Sequence, residues 1–254
     1  MKLISARTPL FAAVVLATAV ASPTVTAQSE ENRLSLEEVV VTARRRSESL
    51  QDVPIAVTAL SGDALTLRGA SDITELAQSV PSVTLEPSRA TNTTLTAFIR
   101  GVGQQDPLAG FEQGVGLYLD DVFLARPQGS VLDIYDVERI EVLRGPQGTL
   151  YGRNTVGGAI KYITRRLDDE FSVSLKGTYG SYDQVDLVGT VSVPVTDTFR
   201  LGGTVASFQR DGYGENKTTG DDQYDKDIVA YRVSAEWLPT DDLLVRMAYD
   251  DTQD

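Results

Sequence analysis

The sequence predicts an α+β domain followed by antiparallel transmembrane β-barrel strands that stop short of closing a barrel. Three observations carry this expectation. Residues 50–165 mix short helix and strand patterns with dense glycine, the text switches near residue 168 to long apolar/polar alternation, and the connections between the alternating segments are short and long by turns.

Residues 1–27 read as a secretory signal peptide. A basic start (Lys2, Arg7) precedes the apolar stretch Pro9 to Ala21, and Val25-Thr26-Ala27 supplies a small-x-small cleavage pattern before Gln28. Leu10 to Ala21 is too short to cross ~30 Å of hydrocarbon at ~1.5 Å per residue. No other segment approaches a transmembrane helix in apolar length, so a membrane-spanning part of this chain would have to be a β-barrel.

Residues 28–49 are a polar stretch and then Leu36-Glu37-Glu38-Val39-Val40-Val41-Thr42-Ala43, closed by Arg44-Arg45-Arg46. A β-branched run between charge clusters, with no partner hairpin in view, suits a mobile segment that becomes a strand on another protein's sheet edge. An ordinary first strand fits the same residues.

Within 50–165, Pro54 to Leu60 reads as a strand. Ser61-Gly62-Asp63 can cap a helix to Arg68, stopped by Gly69, and Asp72 can cap another through Ser79, ended by Pro81. Ser82 to Glu86, Thr94 to Arg100, Val115 to Leu124, Ile140 to Leu143 and Ala159 to Thr164 read as strands. Glycines such as Gly101, Gly145, Gly152 and Gly158 imply tight turns and close backbone approach.

From residue 166 to 254 about five strands are expected. Val173 and Leu175, Val191 and Val193, Leu201 and Val205, Val233 and Trp237, and Val245 and Met247 fall on one face; Asp186, Arg200, Arg232, Glu236, Arg246 and Asp250 fall on the other. The connections Thr196-Asp197-Thr198 and Pro239 to Asp242 are short, whereas Asp211 to Asp227 is long and polar, matching short periplasmic turns and longer outer loops. A soluble antiparallel sandwich is the competing arrangement.

Composition narrows the chemistry. The formal charge of -13, or -15 once Lys2 and Arg7 are cleaved away, repels nucleic acid and anionic lipid heads. With no Cys and no His, thiol nucleophiles, disulfides, Cys/His zinc sites and imidazole bases are excluded. No P-loop Gly-Lys-Ser/Thr follows Gly145 to Gly158, and Gly101-Val102-Gly103 lacks the rest of a dinucleotide fingerprint. The acidic loop at Asp211 to Asp227 does not have EF-hand spacing, so neither a metal nor a cofactor is implied.

Three motifs carry a resemblance. The run from Asp136-Val137-Glu138-Arg139-Ile140-Glu141-Val142-Leu143-Arg144-Gly145-Pro146 through Gly157-Gly158-Ala159-Ile160 resembles the plug-domain signature of TonB-dependent outer-membrane receptors, as do Phe98-Ile99-Arg100-Gly101-Val102-Gly103 and Val115-Gly116-Leu117-Tyr118-Leu119-Asp120-Asp121-Val122. The resemblance implies a plug at 50–165 inside a barrel of about 22 strands, of which 166–254 would be the first few. It implies that Glu38, Val39, Val40, Val41, Thr42 and Ala43 are the TonB box, which recruits the inner-membrane protein TonB by strand addition. It also implies that Arg100 and Arg144 form a charge cluster with glutamates of later barrel strands.

The loops Gln104 to Phe111 and Ala125 to Ser130 would face outward, making Gln104, Gln105, Asp106, Phe111 and Arg126 candidate substrate contacts. The implied function is energy-coupled import of a scarce nutrient such as a ferric siderophore, across outer-membrane lipid and without chemistry on the cargo. Carbohydrate or cobalamin import, or a non-transporting periplasmic plug-type binding protein, are the alternatives. About five strands cannot close a barrel that needs at least ~8, so the chain is expected to be part of a longer product.

Overall fold

The computed structural model describes residues 39–253 apart from 89, 90, 109, 221 and 241. The expected signal peptide, the polar stretch after it and Glu38 lie outside the described residues.

β1 (Val40–Val41) doubles back through the three arginines to pair antiparallel with β2 (Glu48–Ser49). This corrects the expectation of a segment without a hairpin partner. The partner is two residues long and polar, so no hydrophobic period announces it, and Arg44 and Arg46 both neutralise on Glu48, whose carboxyl is held below its usual range by those hydrogen bonds.

β3 (Ala56–Ser61) runs into α1 (Gly62–Leu67), where the Ser61 hydroxyl accepts from the Ala64 N–H and Gly69 (φ 69°) follows the end. Asp72 caps the next turn as expected, but Ile73–Gln78 tightens to a 3-10 helix. β4 (Val83–Pro87), β5 (Leu95–Ile99) and β6 (Val102–Gln104) form a three-stranded antiparallel sheet.

The expected single strand Val115 to Leu124 is instead a hairpin of β7 (Val115–Leu119) and β8 (Val122–Phe123). Asp120 (φ 47°) and Asp121 (φ 67°) make the turn, a conformation that a short polar side chain tolerates and that apolar periodicity cannot register. β9 (Val137–Arg144), the single helical turn α2 (Gly148–Tyr151) and β10 (Gly158–Thr164) complete the domain.

A five-stranded sheet in the order β3-β9-β10-β7-β8 is the centre of this domain, parallel only between β10 and β7. One face packs against α1, the 3-10 helix and β4-β5 through Leu65, Ile73, Leu76, Ile99, Ile140 and Ile160. The other is covered by the N-terminal segment through Val41, Ala43, Val53, Tyr118, Leu143 and Tyr151. Gly158 shows what the glycines do: φ is 152°, and a Cβ there would lie 2.2 Å from the Leu143 carbonyl oxygen.

The second unit of structure is a wall of β11 (Ser172–Tyr179), β12 (Val185–Thr196), β13 (Phe199–Arg210), β16 (Lys226–Thr240) and β17 (Leu243–Gln253), hydrogen-bonded in that order. The long polar connection between β13 and β16 carries a small hairpin, β14 (Gly214–Glu215) with β15 (Asp222–Gln223). β13 ends at Arg210, where the connection was expected to begin, but β16 starts at Lys226, inside it, because Lys226 and Asp227 still pair with Arg210 and Gln209 across the ladder.

The wall's two faces are inverted relative to a water-soluble sheet. Val173, Val191, Gly203, Val233 and Tyr249 lie opposite one another across five strands, and the four side chains in that row other than glycine are 37–66% exposed. The inner face carries Ser192, Thr204, Arg232, Ser234 and Glu236, each at most 5% exposed. A soluble sandwich would bury the first set and expose the second.

Candidate functional site

The inner face of the wall meets the α+β domain largely through charge. Register sets Arg200, Glu236 and Arg246 side by side on β13, β16 and β17. Glu236 is fully buried, and Arg166, from the linker after β10, grips it with two hydrogen bonds of 2.7 and 2.9 Å, while Arg246 stands 3.3 Å and Arg200 3.8 Å away. Three cations around one carboxylate offset its desolvation.

Arg232, four residues earlier on β16, inverts the pattern. It is 4% exposed and sits 2.9 Å from Asp120, 3.3 Å from Asp250 and 3.7 Å from Asp136. Asp120 is held in place from behind by the Thr164 N–H (2.9 Å) and hydroxyl (2.6 Å), and also meets Arg246 at 3.4 Å. Burial pushes the Asp136 carboxyl up to about 6, only partly opposed by Arg232 and by a hydrogen bond from Thr204 of the wall. Lys226 completes the set at 2.9 Å from Asp133.

The alternation had placed Arg200, Arg232, Glu236 and Arg246 on the ionic face. Their partners Asp120, Asp136 and Arg166, and the Asp133 partner of Lys226, were not legible as such, because long-range pairing leaves no period in a sequence.

A cavity of about 480 Å³ opens between the domain and the wall, bounded by Tyr135 and Tyr162 on one side, Arg232 and Asp250 on the other, and Tyr213 and Tyr224 of the long connection. The last two rings stack at 4.9 Å. Of the two loops expected to meet substrate, the described residues give this cavity Gly129 alone. Gln105, Asp106, Phe111 and Arg126 are exposed and Gln104 is half-buried in β6, with the two loops tied together by the Gln128 amide donating to the Pro107 carbonyl at 2.8 Å.

Arg100 and Arg144 are brought to one corner. Arg100 follows β5 with φ 53°, and a Cβ on Gly145, next to Arg144, would stand 3.4 Å from its Nη1. Arg144 reaches the Pro81 carbonyl at 3.5 Å while its buried Nε has no partner, and among the described residues neither arginine makes an ion pair.

The segment Val39–Ala43 lies on the far face of the central sheet. Val41 and Ala43 are fully buried, and between them Thr42 meets two buried charges that stand opposite each other on β9 and β10. Its N–H donates to Glu141 Oε1 at 2.7 Å, and Lys161 Nζ donates to its carbonyl (2.9 Å) and hydroxyl (2.7 Å). The Tyr151 hydroxyl donates to the Ala43 carbonyl at 2.8 Å; burial and the nearby Asp121 and Glu141 carboxylates push that phenol well up.

Comparison with known proteins bears on this arrangement directly. Residues 49–159 match the family model described as TonB-dependent Receptor Plug Domain. This α+β domain is a TonB-dependent receptor plug. The chain is similar to the hemin receptor of Yersinia pestis, 35% identical over 148 residues, covering 57% of this chain and 21% of that receptor. It is similar to the pesticin receptor of Yersinia pestis, 29% identical over 201 residues, covering 78% of this chain and 28% of that protein. Among solved structures it is similar to the ferric yersiniabactin uptake receptor FyuA from Yersinia pestis, at TM-score 0.69 and 26% identity over 78% of this chain and 31% of that one. The chain therefore spans less than a third of each of these three proteins, and the family is one of receptors rather than enzymes. In that frame the wall is a run of transmembrane β-barrel strands, with its ionic face turned to the plug.

Proposed function

We propose that this chain is the plug and leading wall of an outer-membrane receptor that imports a scarce nutrient, a ferric siderophore by preference, with energy delivered through TonB. The observation that carries the reading is the inverted wall: apolar side chains exposed outside, and Arg232 and Glu236 buried inside against the plug. The iron and hemin cargoes named for the relatives support the cargo class.

In this reading residues 1–27 are the export signal, 28–49 carry the coupling segment, 50–165 are the plug and 166–254 the first barrel strands. Glu38 to Ala43 recruit TonB by strand addition. Support comes from β1, which among the described residues pairs with β2 alone and so keeps one edge for a partner. Arg100 and Arg144 await carboxylates from wall strands beyond residue 254, consistent with their lack of ion partners among the described residues. Gln104, Gln105, Asp106, Phe111 and Arg126 present the plug's outer surface to cargo.

The test is uptake of radioactive iron by iron-starved cells carrying the intact gene or an in-frame deletion of Glu38 to Ala43. Uptake is expected with the first and absent with the second. Equal uptake would favour a plug that binds without transporting.

A further inference from the structure

We infer that Thr42 is a latch, and that the Asp120–Asp121 turn fastens this latch to the barrel wall, so that the wall's arginines set how firmly Val39–Ala43 is docked. The inference rests on the proposed function only in taking that segment as the coupling segment.

Glu141 and Lys161 are cross-strand neighbours in mid-sheet, 0% and 1% exposed. Charges so buried need compensation. Arg139, on the same strand, supplies Glu141 with one cation at 2.8 Å. Much of the rest comes from one residue outside the sheet: Thr42 gives Glu141 its N–H and, at 3.2 Å, its hydroxyl, and takes two bonds from Lys161 through its carbonyl and hydroxyl. A single peptide thus bridges a buried anion and a buried cation, and leaving would strip partners from both at once.

The third contact of Lys161 is Asp121 Oδ1, at 3.0 Å. Asp121 adjoins Asp120, and both have positive φ in the same two-residue turn, so neither can shift without the other. Asp120 holds Arg232 and Arg246 of the wall. Arg232 in turn borders the 480 Å³ cavity. A continuous polar chain therefore runs from the cavity through Arg232, Asp120, Asp121 and Lys161 to Thr42.

Contiguity alone is not coupling. The measurement is nitroxide mobility at Val40→Cys in the full-length protein in isolated outer membranes. Val40 is 46% exposed, and the described chain adds no cysteine of its own. A label at Leu67→Cys, on the exposed face of α1, reports whether the plug stays folded.

Thr42→Val keeps the N–H and removes the hydroxyl, so the mobile-to-immobile ratio at position 40 is expected to rise about tenfold with the spectrum at 67 unchanged. Asp120→Asn never touches the segment, yet is expected to raise the ratio about threefold. Glu112→Gln, at the exposed Arg153 pair, is expected to leave it unchanged. An unchanged ratio in either Thr42→Val or Asp120→Asn overturns the inference. Capture of the TonB periplasmic domain by the same membranes separates the two readings: raised mobility with no TonB captured by any variant sinks the coupling role of the segment and leaves the latch standing.

Discussion

Replacing Val233 by Arg tests the inverted wall where it is most sensitive. Val233 is the central residue of the 15-residue strand β16 and 56% exposed on the outer face. At ~3.3 Å per residue and a tilt near ~45°, such a strand rises roughly 35 Å along the membrane normal, which puts its centre near the hydrocarbon midplane. An arginine there costs about 2–4 kcal/mol. If the same face met water, the change would stay within about 0.5 kcal/mol, since no packed neighbour is displaced. Leu243→Arg, at the β16–β17 turn and 52% exposed, is the internal control, with an expected cost of about 0–1 kcal/mol near the interface. The full-length receptor, folded into phosphatidylcholine vesicles and titrated with guanidinium, reports both through tryptophan fluorescence, to which Trp237 contributes. Equal stabilities for the two variants and the parent would refute the lipid-facing assignment.

Three further outcomes follow from the plug and its contact with the wall. Glu236→Gln leaves Arg166, Arg200 and Arg246 facing one another without their shared anion and is expected to cost about 3–5 kcal/mol, read as faster proteolysis of the linker around Arg166. Because burial holds the folded Asp136 pKa near 6 against an ordinary value near 3.8, the folded state binds more protons than the unfolded one between about pH 4 and 6. Stability from this group therefore falls as pH rises through that window, by about 3 kcal/mol at most, and Asp136→Asn should flatten that slope in urea midpoints taken at several pH values. Gly158→Ala forces a Cβ onto the Leu143 carbonyl at a φ of 152° and should lower stability by about 3 kcal/mol or more, measured by calorimetry; a loss below about 1 kcal/mol would mean β10 relaxes there.

What the sequence made legible was whatever local periodicity or capping chemistry encodes. Ser61 and Asp72 announced their helical turns because a short side-chain oxygen before an N–H run is a local device. The wall strands announced themselves because lipid and plug impose opposite demands on alternate residues, which writes a period of two. The β2 strand did not, being two polar residues whose pairing is decided by a turn of arginines. Nor did Thr42, which in sequence is one more β-branched residue of a run; only the fold brings it onto Glu141 and Lys161, 99 and 119 residues away. The site chemistry was least legible for the same reason: Asp120 and Asp136 stood inside quoted motifs, yet their charge partners lie on a sheet that begins after both.

The plug–wall contact is more ionic than apolar, and that decides how it would part. Its apolar part is small, Val188, Ala206, Phe208 and Ala230 with Tyr135 and Ile228 beside them, while the remainder is carried by Glu236, Arg232 and their partners. An apolar contact of the same area would be strong and also brittle, because parting it exposes hydrocarbon to water with nothing to replace the lost packing. Parting an ion pair hydrates both ends, which returns most of the desolvation cost that assembly imposed. A plug held this way is firm while the buried charges of this seam, Glu236 and Arg232, are matched, and separable when water follows it out. It also makes single-partner loss more damaging than concerted opening, so Glu236→Gln combined with Arg166→Met should be milder than Glu236→Gln alone. If the double variant instead loosened the plug by the sum of the two single losses, the contact would be held by independent bonds, and a separable, charge-matched seam would be the wrong description.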